Sequence, residues 1–336
     1  MSKFYKFMFL NTLILGTLIA LTAYSWFSMW IGLEINLLSI IPLMKSGQNS
    51  YPAEAALKYF ITQAFASIMV LFAIVLSLNL LDYPPNNSNF WQMMVLNSGL
   101  LTKLGAAPFH VWFPEVIEGL NWLTSMALLT IQKLAPMILI MYNWNMTLFF
   151  SSIIIMSSLV GGILGLNQTS LRKLMAYSSI NHIAWMLASL FNFSKIWLDY
   201  FLIYCVITLN LIMIFQLNQI YKIPQLILML NSNKLINFLF ITNFMSLGGL
   251  PPFLGFTPKW LVINGLVENK FFSLSLILIL STLITLYFYL RITLSTLAIS
   301  MSMVIIQSKK NEFFIIIINS LSLFGLILYT SIFSLY

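Results

Sequence analysis

The chain has 336 residues, of which 60% are hydrophobic and 7% are charged, and its mean hydropathy is +0.94. A soluble domain carries roughly 25% charged residues, so the composition excludes a soluble globular protein and indicates a polytopic helical membrane protein. The net charge of +8 does not indicate nucleic-acid binding, because the basic residues are spread between apolar segments. One cysteine and two histidines exclude an internal disulfide and leave no zinc or haem cluster to propose.

Apolar segments of spanning length recur along the whole chain, separated by polar or proline-containing gaps. The predicted spans cover residues 4–23, 26–44, 56–81, 90–114, 121–143, 147–166, 174–193, 196–218, 236–265, 272–299 and 313–335. The first segment also fits a cleaved signal peptide, but a second follows within a few residues, so we interpret it as a retained span. We therefore expect an all-α fold with about eleven transmembrane helices and termini on opposite sides of the membrane.

The basic residues between the spans are distributed unequally over the two sides of the membrane. The side that holds the N-terminus carries Lys3, Lys6, Lys45, Lys58, Arg172, Lys173, Lys222, Lys234, Lys309 and Lys310. The other side carries Lys195 and Lys270. Cytoplasmic and matrix loops are enriched in Lys and Arg, so the N-terminal side is predicted to be the compartment of synthesis.

Five charged residues fall inside predicted spans and away from the span ends: Glu34, Lys103, Lys133, Lys259 and Arg291. Each such group costs about 2.5–3.5 kcal/mol at bilayer depth, so a chain that keeps them is expected to use them. Arg291 has a side chain long enough to reach the interface if its span tilts or extends.

Two spans are interrupted by glycine and proline, and each has a lysine beside the interruption. In the fourth span Lys103 precedes the break, and in the ninth span Lys259 follows it. The two spans are five apart and run in opposite directions, which predicts an inverted repeat with discontinuous helices. We expect one membrane domain, with a first repeat over 1–145 (spans 1–5), an inverted repeat over 146–300 (spans 6–10) and an extra C-terminal span in 301–336. The alternative is two proline kinks with unrelated lysines.

The charges inside the spans suggest a proton path along the middle of the membrane. Lys103 is the expected partner of Glu34; a structural ion pair or a neutral, hydrogen-bonded Glu34 is the alternative. Desolvation disfavours the charged form of a buried lysine, so Lys133 and Lys259 can exchange protons. For Lys133, pairing with a helix C-terminus or a backbone carbonyl is equally compatible with the sequence. His182 can bridge Lys133 and Lys259, or be a hydrogen-bonded core residue.

His110 lies at the break of the fourth span, where it can cap the broken backbone. No phosphate-binding loop, dinucleotide fingerprint or nucleophile triad is present in the sequence, so we expect no hydride chemistry in this chain.

Several segments resemble the antiporter-like membrane subunits of mitochondrial respiratory complex I, the NADH–ubiquinone oxidoreductase, most closely in the insect form. The segments are GLEINLLSIIPL, KYFITQAFAS, LLTKLGAAPFHVWFPEV, GLNQTSLRKLMAYSSINHIAWM and FMSLGGLPPFLGFTPKWLVI. This family is related to Mrp-type sodium/proton antiporters. Its bacterial members have fourteen spans and the corresponding animal subunit lacks the first three, which agrees with the number expected here.

The resemblance implies a proton-pumping module of the mitochondrial inner membrane, with the N-terminus in the matrix and the C-terminus in the intermembrane space. Glu34 and Lys103 match the family's acid–base pair, Lys133 its central relay lysine, and Lys259 the lysine that leads on to the neighbouring antiporter-like subunit. His182 matches the histidine of the family's S-S-I-N-H motif.

The expected partners are the other membrane-arm subunits, including neighbouring antiporter-like subunits, and membrane lipids, with no nucleic acid. NADH, FMN, iron–sulfur clusters and ubiquinone are expected in other subunits, so this chain is expected to bind no cofactor. Two alternatives stay open. One is a free-standing Mrp-type cation/proton antiporter, and the other is a structural spacer in which the charges only hold the helices together.

Overall fold

The computed structural model of the chain describes residues 2–45, 50–79, 88–192, 194–230 and 234–298, together with Asn319 and Gly325. These residues form α-helices and one isolated β-bridge. The helices are α1 (Ser2–Thr22), α2 (Trp26–Met44), α3 (Ser50–Asn79), α4 (Ser88–Leu104), α5 (Trp112–Gly119), α6 (Trp122–Leu129), α7 (Ile131–Tyr142), α8 (Thr147–Gly165), α9 (Leu171–Ser189), α10 (Ser194–Leu217), α11 (Ile223–Leu230), α12 (Lys234–Gly248), α13 (Phe256–Glu268) and α14 (Phe272–Ala298). The expected all-α fold is confirmed for this part of the chain.

Seven helical segments in the described residues are long and apolar enough to cross a membrane. They are Phe4–Thr22, Trp26–Met44, Ser50–Ser77, Trp122–Tyr142, Thr147–Gly165, Ser194–Leu217 and Phe272–Ala298. All seven fall on predicted spans. A helix satisfies its own backbone hydrogen bonds, which is why segments of this composition are helical in lipid.

The fourth, seventh, ninth and eleventh predicted spans are not among these seven segments. The fourth and ninth are broken helices, α4 followed by α5 and α12 followed by α13. The seventh forms α9, a helix more polar than the seven above. The eleventh, predicted over 313–335, lies outside the described residues apart from two positions. The short helix α11 was not predicted, because it is too short to span a bilayer.

The chain divides into two compact units, residues 1–153 and 154–336. In unit 1, α1 pairs closely with α2, and α3 packs against α2, α4 and α5. Helix α2 is capped by Ser25, whose hydroxyl accepts a hydrogen bond from the backbone N–H of Ser28. Such a cap satisfies one of the free donors at the start of the helix.

In unit 2, α9 packs against α10, α13 and α14. Every residue of α9 is buried except Arg172, Lys173 and Tyr177, although the helix carries serines, an asparagine and a histidine. A helix that is covered on nearly all sides belongs to the interior of its unit. Its polar side chains therefore face other helices rather than lipid.

Candidate functional site

The first helix break follows α4 and ends that helix with a glycine in the left-handed conformation. Gly105 has a φ of 75°, and its N–H bonds the carbonyl of Thr102 at 3.2 Å. The N–H of Ala106 bonds the carbonyl of Leu101 at 3.2 Å, which completes a Schellman motif. The indole N–H of Trp112 also donates to the Thr102 carbonyl, at 3.1 Å.

The second break, after α12, is built in the same way. Gly249 has a φ of 79°, and its N–H bonds the carbonyl of Ser246 at 3.0 Å. The N–H of Leu250 bonds the carbonyl of Met245 at 3.3 Å. Both helices therefore end in a Schellman motif, in which only glycine takes the left-handed position without steric cost.

The two breaks also share the sequence pattern G-x-x-P-F-x-x-x-x-P, over residues 105–114 and 249–258. The lysines occupy different places in that pattern. Lys103 lies two residues before the glycine, whereas Lys259 directly follows the last proline. The two lysines are thus not equivalent positions of one motif, and their surroundings have to be described separately.

Lys103 lies in the last turn of α4, facing Glu34 of α2. The side chain of Lys103 is 4% exposed and that of Glu34 is 25% exposed, and Lys103 Nζ is 4.0 Å from Glu34 Oε1. Within the described residues neither of these two atoms has a hydrogen-bond partner. The charge of Lys103 therefore depends on one carboxylate that can itself gain or lose a proton.

Lys133 is 1% exposed and lies near the start of α7. Its ammonium is 6.0 Å from the centre of the Phe113 ring, a cation–π contact. The predicted fifth span is interrupted just before it, because Thr130 separates α6 from α7 with φ −118° and ψ −74°. Lys133 thus lies beside an irregular joint that the sequence did not reveal.

A chain of side-chain hydrogen bonds crosses unit 1 beside these charges. Gln132 of α7 donates from Nε2 to Asn36 Oδ1 at 2.7 Å, and Tyr59 of α3 donates to Gln132 Oε1 at 3.4 Å. Asn36 lies two residues after Glu34, and Gln132 directly precedes Lys133. The amide of Gln132 therefore ties the helix of the acid to the helix of the central lysine.

Lys259 is bonded to backbone rather than to an acid. Its Nζ donates to the carbonyls of Leu247 at 3.0 Å and Gly248 at 2.9 Å, at the C-terminal end of α12. It also lies 5.8 Å from the centre of the Trp185 ring of α9. The C-terminus of a helix carries partial negative charge, so it stabilises this ammonium.

His182 lies in α9, three residues before Trp185 and on the same face of the helix. Its Nδ1 is 2.8 Å from the hydroxyl of Tyr200, and its ring packs 5.1 Å from that of Tyr204. His182 is 5% exposed and Tyr200 is 2% exposed. A buried imidazole that shares a hydrogen with a hydroxyl can pass a proton in either direction.

Two further sequence candidates contact backbone. His110 Nδ1 is 3.3 Å from the Pro108 carbonyl within the first break. Arg291 Nη2 donates to the Leu166 carbonyl just after α8, at 2.6 Å. Sequence reasoning missed Gln132 and Tyr200, because it followed charged groups only. Both are uncharged polar residues inside apolar spans, and that feature of the sequence could have identified them.

The structure brings Glu34 and Lys103 together in unit 1, and in unit 2 it places Lys259 beside Trp185 of α9, the helix that also carries His182. No cluster of three or more His, Cys, Asp or Glu side chains suited to a metal ion occurs among the described residues. The site thus consists of buried lysines, one acid and hydrogen-bonding neutral groups, which together are suited to holding and passing protons.

Comparison with known proteins identifies the family. The family model described as NADH:quinone oxidoreductase/Mrp antiporter, TM, matches residues 23–285. The NADH-ubiquinone oxidoreductase chain 2 of Anopheles gambiae is 48% identical over 88% of this chain and 86% of its own length. That of Aedes aegypti is 46% identical over 99% of both chains.

A similar fold occurs in the solved structure of respiratory complex I from Thermus thermophilus with bound aureothin. The matched chain has a TM-score of 0.85 and 22% sequence identity, over 96% of this chain and 78% of that chain. The family match and the insect relatives each extend over most of the sequence. The chain therefore belongs to the NADH:quinone oxidoreductase/Mrp antiporter family of membrane proteins.

Proposed function

We propose that this chain is a proton-translocating core subunit of the membrane arm of respiratory complex I. Its insect relatives carry the name of a chain of NADH-ubiquinone oxidoreductase over nearly their full length. The observation that carries the proposal is the buried ammonium of Lys103, 4.0 Å from Glu34 and without a hydrogen bond among the described residues. Its proton affinity follows the charge of one titratable neighbour, as a controllable proton site requires.

Proton movement is coupled to electron transfer through charge. A charge change that reaches Glu34 alters its interaction with Lys103, and the effect is large because both lie in a region of low dielectric. A changed charge on Lys103 alters the proton affinity of Lys133, and then of Lys259 with His182 as an intermediate. Electron transfer from NADH to ubiquinone, with FMN and iron–sulfur clusters, takes place in other subunits, and this chain holds no cofactor.

We also propose that the chain contains two inverted five-helix repeats. The two Schellman motifs and the shared pattern of the breaks support this. The close packing of the first two helices of each repeat also supports it. A Cβ on Gly16 of α1 would lie 2.9 Å from the N atom of Asn36 of α2, and a Cβ on Gly161 of α8 would lie 2.8 Å from the N atom of Asn181 of α9. The paired residues have the same separation (36 − 16 = 20 and 181 − 161 = 20).

On this proposal the repeats cover 1–145 and 146–300, and a further span lies in 301–336, to give about eleven spans in all. The chain is a multi-pass protein of the mitochondrial inner membrane, with its N-terminus in the matrix and its C-terminus in the intermembrane space. The unequal distribution of basic residues supports that orientation. Its partners are the other membrane-arm subunits, neighbouring antiporter-like subunits among them, and membrane lipids.

Two other functions each have one supporting observation. The matched family model covers Mrp antiporters as well as the oxidoreductase, which supports a free-standing cation/proton antiporter. The bonds from Lys259 to two backbone carbonyls support a structural spacer, in which the charge only stabilises a helix break. Purification from native membranes separates the first alternative, because an antiporter would not co-purify with subunits that bind NADH and iron–sulfur clusters.

The test of proton translocation replaces the pair in the assembled complex. Lys103→Met and Glu34→Gln are each expected to lower the number of protons pumped per electron, measured in membrane vesicles that oxidise NADH. Lys58→Gln is the matched control, because Lys58 also pairs with carboxylates, Glu54 and Glu115, but lies at an exposed position. Normal coupled pumping by an assembled Lys103→Met complex would remove the proposed role and favour the spacer.

A further inference from the structure

Asn97, in the middle of α4, has an amide that no group in the described part of the chain satisfies. The residue is completely buried, and neither its Oδ1 nor its Nδ2 has a hydrogen-bond partner among the described residues. An asparagine amide has two donor hydrogens and two acceptor lone pairs. Buried polar groups in folded proteins are nearly always hydrogen-bonded to protein or to ordered water, so this amide has the hydrogen-bonding capacity to hold water.

The helix packing fixes the direction of Asn97. Gly99, two residues on, faces α3, because a Cβ at that position would lie 2.8 Å from Val70 Cγ2. Two residues along an α-helix correspond to a rotation of about 200°, so Asn97 points away from α3. The other helix that packs closely on α4 is α7, which carries Lys133. Asn97 therefore lies towards the interface between α4 and α7.

An open cavity of about 650 Å³ lies beside the C-terminal end of α7. It is lined by residues at the end of α1, the start of α2 and the end of α7, including Thr22, Tyr24, Tyr142 and Asn143. Asn143 is 7% exposed, and its Nδ2 is a second buried amide nitrogen without a partner in the described part of the chain. Asn143 follows Lys133 by ten residues along α7, which corresponds to about 15 Å.

The cavity lies at the end of α1 and the start of α2, so α1 runs towards that membrane face and α2 runs away from it. Successive spans alternate in direction, so α3 runs towards this face and α4 runs away from it. Asn97 precedes Lys103 by six residues, or about 9 Å, and so lies between the cavity face and the level of the lysines. The two unsatisfied asparagines thus occupy successive depths between the opening and the lysine site of unit 1.

From this arrangement we propose that Asn97 binds water molecules that pass protons between Lys133 and the open cavity at Asn143. The inference rests on the proposed function and adds to it a route that connects the relay to one face of the membrane. Each water accepts one proton on one side and releases another on the other side. The chain of waters is then left neutral, and the amine of Lys133 gains or loses the single proton that is transferred.

On the proposed orientation this cavity opens to the intermembrane space, so the route releases protons there. Asn97 holds water in place and does not titrate itself. It is therefore a positioning residue, and its replacement should affect transfer without affecting the Glu34–Lys103 pair.

The test replaces Asn97 with leucine in the assembled complex. Leucine has a similar volume and removes an unpaired buried amide, a change that is neutral or stabilising for a residue that only fills space. We expect assembly and thermal stability to be kept or raised, while the proton-pumping rate falls on the order of tenfold or more, as for a lost proton-transfer group. Asn97→Thr, which keeps a water-binding hydroxyl, should retain most of the pumping.

Ser98→Ala is the matched control, because the Ser98 hydroxyl bonds the Val95 carbonyl of its own helix at 2.8 Å. A high-resolution density map gives an independent measurement, with ordered water expected at Asn97 in the wild type and none there in Asn97→Leu. Normal pumping by Asn97→Leu, or a dry Asn97 in the wild type, would overturn the route. If Lys103→Met still lowers the number of protons pumped per electron in that case, the proposed function stands. If Lys103→Met also pumps normally, the proposed function falls, and the route falls with it.

Discussion

At the end of α4, the ammonium of Lys103 lies 4.0 Å from the carboxylate of Glu34, whereas at the end of α12 the ammonium of Lys259 bonds two backbone carbonyls. The two helices end with the same backbone geometry, a glycine of positive φ in a Schellman motif. The difference lies in what satisfies the remaining polar groups. A neutral indole, that of Trp112, donates at the first break, and a charged lysine donates at the second.

The comparison shows which of the two lysines can be controlled. Backbone carbonyls do not titrate, so the partners of Lys259 carry the same partial charge whatever the protonation of the other groups. The partner of Lys103 is a carboxylate, whose charge varies with its own protonation. Lys103 is therefore suited to receive a signal from a changing partner, whereas Lys259 has constant partners and also supports the fold at the helix break.

The largest expected difference in stability is between the variants Lys259→Met and Lys103→Met. Lys259→Met leaves the carbonyls of Leu247 and Gly248 without their donor, and hydrogen bonds to charged groups contribute about 1.5–3 kcal/mol each. We expect the free energy of unfolding to fall by about 3 kcal/mol, and by less than half of that for Lys103→Met, which loses no hydrogen bond. Thermal unfolding of the purified protein in detergent, followed by tryptophan fluorescence, measures both.

Lys259→Arg is the control for that prediction, because it keeps the donors and the charge. Equal losses of stability in the two methionine variants would contradict the structural difference between the breaks.

The glycines of the breaks provide the next comparison. Gly249→Ala and Gly105→Ala each force a Cβ into the left-handed region, at a cost of about 1–2 kcal/mol. The added Cβ would lie 2.8 Å from Lys259 Cδ at Gly249, but 3.2 Å from the Phe113 side chain at Gly105. We expect Gly249→Ala to be the more destabilising variant in the same unfolding assay. The losses of stability from Gly249→Ala and Lys259→Met should not add in the double variant, since both disturb the contact between residue 249 and the Lys259 side chain. Full additivity would show that the two changes act separately.

A smaller effect is expected where unit 1 uses a side chain to connect helices. Gln132→Met removes the hydrogen bonds to Asn36 and Tyr59 and keeps the length of the side chain. The expected loss is about 1.5 kcal/mol, because a typical net contribution is about 1 kcal/mol for each bond and the second bond is long. Thermal unfolding measures it, and an unchanged midpoint would mean that the amide chain does not hold α7 in place.

The smallest change in stability, about 1 kcal/mol, is expected for Tyr200→Phe, which removes one hydrogen bond to His182. If His182 takes part in the relay, the pumping rate of the assembled complex should fall more than this loss of stability explains. Tyr287→Phe is the control, because Tyr287 lies on α14 and is 60% exposed. Unchanged pumping by Tyr200→Phe would place His182 outside the relay.

Much of this fold could be predicted from the sequence, because a bilayer requires long apolar helices and the basic residues between them indicate where those helices end. The breaks at Gly105 and Gly249 were visible in the same way, from glycine and proline within apolar segments. The joint at Thr130 was not, because no glycine or proline adjoins it, and its geometry results from packing.

The site was predicted in part, for similar reasons. Glu34 is the only acid that lies in a predicted span away from its ends, so its pairing with a nearby lysine was a natural expectation. The bonds of Lys259 were not foreseeable, because they depend on how the turn after Gly248 returns the chain to its own helix end. The water site at Asn97 was visible only as an uncharged amide in an apolar segment. Its importance comes from the absence of a partner among the described residues, which needs coordinates to be seen.

The burial of α9 has a consequence for how the chain is made. This helix carries Ser178, Ser179, Asn181 and His182 and is not among the segments apolar enough to cross a membrane by themselves. A translocation channel that tests each segment against lipid would release such a helix poorly. We therefore expect α9 to stay at the channel until α10 has been synthesised, and the two helices to enter the membrane as a pair. The most buried helix of unit 2 would then depend on α10 from the moment of insertion.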